Sequence, residues 1–135
     1  MTTKMTKEEK VKEFNYKKIK SFEDACAHLE IDPKQLPEVP IEDLKKPVIA
    51  AYKLMIIFKA INNGWNPDWS DRNQYKYFPW FEVLSSGFGF SGSVYDYPGT
   101  GTSVGSRLCT DTRDKALYIA DHFKEEYQDY FLYSK

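Results

Sequence analysis

Apolar residues recur along this chain with two different periods, and the change between them divides it. After a polar opening, Ser21-Phe22-Glu23-Asp24 sets a hydroxyl before acidic residues, and Phe22, Ala25, Cys26 and Leu29 follow at helical steps. That spacing predicts a short helix from about residue 22, ending near Ile31 because Pro33 turns Asp32 away from helical angles. Pro33 to Pro40 holds three prolines with Leu36 and Val39 between them, and Ile41 follows. The pattern predicts an extended connector laid along the body, with no domain boundary. Pro47 suits the first turn of a second helix that runs from Val48 to Ile61 and stops at Gly64. Apolar side chains cover almost every direction around it, which predicts a central helix packed on several sides.

From Tyr75 the period becomes two. Tyr75, Tyr77, Phe81 and Val83 alternate with Lys76, Phe78, Trp80, Glu82 and Leu84, a strand with large side chains on both faces. Ser85-Ser86-Gly87 offers a reversal into a second strand from Phe88 to Tyr95, and Pro79 argues for an edge or a bulge at its position. A glycine-rich loop, Pro98 to Thr102, then leads to a third short strand around Val104 to Cys109. After a Thr110-Asp111-Thr112 cap region, Ala116, Ile119, Ala120, Phe123, Tyr127, Tyr130 and Phe131 recur as one face of a last helix. The fold class predicted is α+β: a small three-stranded antiparallel sheet packed against about three helices. A polar Lys-rich tail, 1–20, precedes a single domain, 21–135.

Charge changes this picture in one respect. The net charge is −1, but residues 1–20 hold seven lysines against three glutamates, so the rest of the chain is mildly acidic. A duplex-binding surface is usually basic, and outside the tail none is visible. The tail has no apolar core behind its lysines and does not read as a secretory signal. The stretch from Val48 to Ile61 is interrupted by Lys53 and Lys59 and is too short to span a bilayer, so no membrane partner is expected. Two well-separated cysteines, Cys26 and Cys109, suit reduced, buried thiols and a cytoplasmic location.

The most distinctive stretch is Asn62-Asn63-Gly64-Trp65-Asn66-Pro67-Asp68-Trp69-Ser70-Asp71-Arg72-Asn73. Trp65 and Trp69 among amides and carboxylates suit a shallow pocket in which indoles stack on a ligand; the reading favoured over it makes them plugs between helix and sheet. Asp68, Asp71 and Asn73 lack the alternating oxygen-ligand spacing of a calcium loop. Tyr75, Tyr77 and Trp80 on the strand, with Arg72, Lys76 and Arg107 nearby, have the chemistry of a single-strand nucleic-acid platform. Aromatic packing on one face and a protein contact on the other is favoured over it, because the domain is acidic. Arg107 is expected to answer a carboxylate, with Asp68, Asp71 or Asp96 as candidates. The Pro98–Arg107 stretch lacks the Gly-Lys-Ser/Thr ending of a phosphate loop, and His28 and His122 have no partners at metal spacing. No catalytic residue, metal or cofactor is assigned.

Four segments also carry a resemblance: Ser21-Phe22-Glu23-Asp24-Ala25-Cys26, Asn63-Gly64-Trp65-Asn66-Pro67-Asp68-Trp69, Tyr75-Lys76-Tyr77-Phe78-Pro79-Trp80-Phe81 and Val104-Gly105-Ser106-Arg107-Leu108-Cys109. Together, over most of residues 21–133, they resemble a family of small uncharacterised proteins of bacteriophages and prophages of gut bacteria. The resemblance implies a phage-related, cytoplasmic setting and carries over no catalytic residues. The residues themselves point to a non-enzymatic binding or accessory protein whose aromatic surface meets a protein partner or a second copy of itself, and the resemblance adds only the setting. The alternatives are a single-stranded nucleic-acid factor and, further off, a small-molecule or hydrolytic enzyme using Asp68, Asp71 and Arg107.

Overall fold

Among the described residues, most of the buried side chains come from helices. In the computed structural model, which describes residues 14–84, 87–97 and 107–132, helix α1 spans Phe22–Leu29 and helix α2 spans Glu42–Asn62. Strands β1, Lys76–Leu84, and β2, Gly87–Tyr97, come next, and helices α3, Arg113–His122, and α4, Lys124–Phe131, close the chain. Leu54, Ile57, Phe58, Ala60 and Ile61 of α2 meet Phe22, Ala25 and Cys26 of α1 and Ile119, Phe123 and Tyr127 of the closing helices in one cluster. Each large aliphatic or aromatic side chain sealed there contributes about 1.5–3 kcal/mol relative to leaving it in water. α2 is therefore the spine expected from its apolar profile.

The three-stranded antiparallel sheet expected from the sequence does not form among the described residues, which are mainly helical. The β-structure is a two-stranded antiparallel ribbon, β1–β2; of residues 76–81, the strand residues whose side chains are described, none belongs to the buried cluster, although Phe81 packs against its margin. A lone hairpin is marginal in water, so this one depends on the helices it contacts. Of the third strand expected over 104–109, residues 104–106, like the glycine-rich loop 98–102, lie outside the described residues, and Arg107 and Leu108 lie in a turn and bend. Just beyond it, Thr110 makes a single bridge to Tyr77 with bonds of 2.9 and 2.8 Å.

Local details depart from expectation where packing overrides local signals. α2 begins at Glu42, so Pro47 stands inside the helix, and residues 41–46 are all exposed. Its end is set as glycine chemistry requires: Asn63 is left-handed, and Gly64, at φ +96°, takes a conformation that side-chain-bearing residues rarely adopt. Ser21 and Thr112 cap α1 and α3, accepting from the amides of Asp24 and Lys115 at 3.1 and 3.2 Å. The single last helix expected is two, divided at Phe123, whose buried ring joins the core. Part of the segment read as tail is packed: Ile19 is buried, and the Tyr118 hydroxyl donates to its carbonyl at 2.8 Å. No helix among the described residues is long and apolar enough to cross a membrane.

Candidate functional site

The stretch from Trp65 to Tyr75 contains no regular element, and its shape comes from short-range side-chain bonds. Asp68 Oδ1 accepts from both the amide (3.0 Å) and the hydroxyl (2.5 Å) of Ser70. Asp71 Oδ1 accepts from the Asn73 amide at 2.9 Å, and the Asp68 amide donates to Gln74 Oε1 at 2.6 Å. These are Asx turns, in which a short carboxylate stands in for a backbone acceptor. The bonds from Ser70, helped by the nearby Lys76 charge, hold the Asp68 carboxyl below the usual carboxylate range. The two aspartates thus shape the loop instead of presenting free oxygen ligands, and among the described residues no cluster of metal-ligating side chains occurs.

Lys76 is the centre of this loop. It is 0 % exposed, and its ammonium donates to the carbonyls of Asp68 (2.6 Å) and Asp71 (3.1 Å) while lying 5.0 Å from the centre of the Trp69 ring. Charge-assisted bonds of this kind are worth roughly twice neutral ones, and a desolvated cation–π contact adds about 2 kcal/mol. A lysine read from the sequence as a nucleic-acid contact therefore works inside the protein, where it fixes the turn that carries Trp69. The alternation that placed it beside Trp80 also breaks. Pairing shifts between Pro79 and Phe81, a bulge of the sort foreseen at Pro79. Before it Lys76 and Phe78 are buried; after it Phe81 approaches Tyr127, at 4.8 Å between ring centres, and Trp80 is left exposed.

With the loop pinned this way, a groove of about 780 Å³ opens between it and α2. Trp65, Pro67 and Trp69 form one wall, Tyr52, Met55 and Ile56 of α2 the other, and Leu29 closes an end. Trp69 is 39 % exposed and Trp65 half-buried, so neither indole is a sealed plug. The polar lining consists of Lys59, Arg107 and three asparagines, with no carboxylate among the described residues. Asn62 Nδ2 donates to the Cys109 carbonyl at 2.9 Å, which ties the end of α2 to the segment bearing Arg107, while its buried Oδ1 has no hydrogen-bond partner among the described residues. At the rim, His28 Nε2 lies 2.9 Å from Asn63 Oδ1.

The structure thus gathers Trp65, Trp69 and Arg107 from the residues singled out in the sequence. Asp68 stands behind them in the loop, Arg72 and Tyr75 are exposed, and Tyr77 is half-buried beside its bridge to Thr110; none of these, nor Trp80, lines the groove. Arg107 is exposed and makes no ion pair with Asp68 or Asp71, contrary to expectation; the Asp96 side chain lies outside the described residues. Sequence reading missed the α2 wall. Tyr52, Met55, Ile56 and Lys59 recur at helical spacing, but that stripe is hidden in a helix apolar on nearly every side. The cysteines are both buried, and burial pushes the Cys109 thiol up to about 11, as befits packing residues. No family model, curated protein or solved structure matches the chain.

Proposed function

We propose that this is a non-enzymatic binding protein whose groove between α2 and the tryptophan loop receives a protein partner, in the phage-type cytoplasmic setting that the sequence resemblance implies. One observation carries the reading: an exposed indole, Trp69, held by a buried lysine, and a half-buried one, Trp65, stand along a concave apolar wall. Aromatic side chains that combine large contact area with a fixed position are the usual anchors of protein interfaces. Pinning Trp69 before binding lowers the entropy lost on association. Among the described residues the lining supplies no paired nucleophile and base, which favours binding over catalysis.

Panning a random peptide library against the full chain tests this. Enriched peptides, measured by fluorescence anisotropy, are expected to bind Trp65→Ala and Trp69→Ala at least roughly tenfold more weakly, the loss of a typical anchor. Peptides that bind these variants as well as the unaltered chain, or a library that yields no binders, would remove the proposal. Titration with single-stranded oligonucleotides at two salt concentrations runs beside it, and salt-sensitive binding there would favour the nucleic-acid reading instead.

A further inference from the structure

Apolar surface on α2 continues beyond the groove. Leu44, Val48 and Met55 are exposed large hydrophobic residues at four- and seven-residue steps on α2, and exposed Ile41 precedes the helix as its extended cap residue. At ~100° per residue the three helical positions fall within an arc of about 40°, and the rise from Leu44 to Met55 is about 17 Å. The arc faces away from Ala50, Leu54, Ile57 and Ile61, four of the residues that α2 buries, and is flanked by buried Phe58. α2 thus carries a second apolar face, open to solvent, whose last member, Met55, lines the tryptophan groove. Scattered surface hydrophobics are ordinary, but a row of them at helical spacing running into an aromatic cleft has the form of a helix-in-groove site.

Charge selects the occupant. Lys59 and Arg107 are both exposed at the groove, no carboxylate among the described residues lines it, and beyond residue 20 the chain is acidic in sum. Against the net acidity of the rest of the chain, this local cationic pair complements acidic side chains of a partner and repels lysines at the groove. We propose that the stripe from Leu44 to Met55, together with the Trp65–Trp69 groove, docks an amphipathic helix of a partner protein, whose apolar face covers the stripe and whose acidic side chains pair with Lys59 and Arg107. The inference rests on the groove being a protein-binding site and adds the partner's shape and charge.

Two synthetic peptides separate the claims. Both carry leucine at helical spacing over four turns; one has glutamate and the other lysine at the flanking positions, and each is titrated by anisotropy against the full chain. The glutamate peptide is expected to bind roughly tenfold more tightly, and the preference is expected to fall below about threefold in Lys59→Glu/Arg107→Glu, since each exposed pair is worth at most about 1 kcal/mol. Both substituted residues are exposed, and unchanged circular dichroism would confirm that the variant folds. Val48→Asp is expected to weaken the glutamate peptide at least as much. Equal binding of the two peptides, with Trp69→Ala still weakening both, would overturn the acidic partner and leave the groove reading intact. Failure of both peptides while panned, non-helical peptides bind would overturn the helical occupant. A concentration-dependent dimer in sedimentation, abolished by Val48→Asp, would replace the partner by a second copy of the chain.

Discussion

The two faces of α2 are almost equally apolar, yet one is sealed and the other stands in water. Leu54, Ile57, Phe58 and Ile61 meet α1, α3 and α4 in the core, whereas Leu44, Val48 and Met55 meet nothing among the described residues that removes them from solvent. Hydropathy alone therefore does not say which face builds the fold. Position relative to the other helices decides it, and the face left over becomes available for recognition. The tryptophan loop extends the contrast, because there a buried charge, Lys76, holds an aromatic side chain outside the core.

The largest effect that would sharpen this contrast is a pair of substitutions at neighbouring turns. Phe58→Ala should cost about 3–5 kcal/mol by urea unfolding, as emptying a sealed aromatic site does, while Met55→Ser should stay within about 0.5 kcal/mol. Equal losses at the two positions would erase the distinction between the faces. Lys76→Met keeps the volume but removes the donor to the Asp68 and Asp71 carbonyls. A loss of about 1.5–3 kcal/mol is expected, with a red shift of Trp69 emission as the loop loosens. An unchanged spectrum would show that the lysine does not position the ring.

The smallest effect concerns pH. Burial raises the Cys109 thiol from 9.0 to about 11, so its folded pKa lies above the unfolded one. The stabilisation is complete below pH 9 and is lost as pH rises toward 11, because only the unfolded chain ionises readily there. Tyr127, raised well above 10 by burial, adds to the loss in the same direction. Stability should fall by on the order of 1 kcal/mol per pH unit across that window, and by less in Cys109→Ala. A flat profile above pH 9 would show that the thiol is not sealed beside the end of α2.

Much of the helical frame was legible because its signals are local. The Ser21 and Thr112 caps, the stop at Asn63-Gly64 and the apolar steps of Phe22, Ala25 and Cys26 each act within a turn or two. The sheet was overestimated for the converse reason. Alternation near Tyr75 signals an extended chain, but whether a third strand pairs with it depends on distant residues, and among the described residues Thr110 alone does so. Trp65, Trp69 and Arg107 stood out by residue type, and the groove brings them together. The direction of the Lys76 side chain was not legible, since a strand position does not reveal that the preceding loop turns its carbonyls back upon it. Nor did the proline at 47 mark a boundary; an exposed first turn and a half tolerates the lost bond.

The central claim is that the indole of Trp69 is held open to solvent in the free protein and covered by a partner helix. Acrylamide quenching in a Trp65→Phe/Trp80→Phe background reads that ring alone. Free access to the quencher without peptide and protection on adding the glutamate peptide is the result expected. A ring already shielded in the free chain, or one equally quenched with peptide bound, would contradict the account.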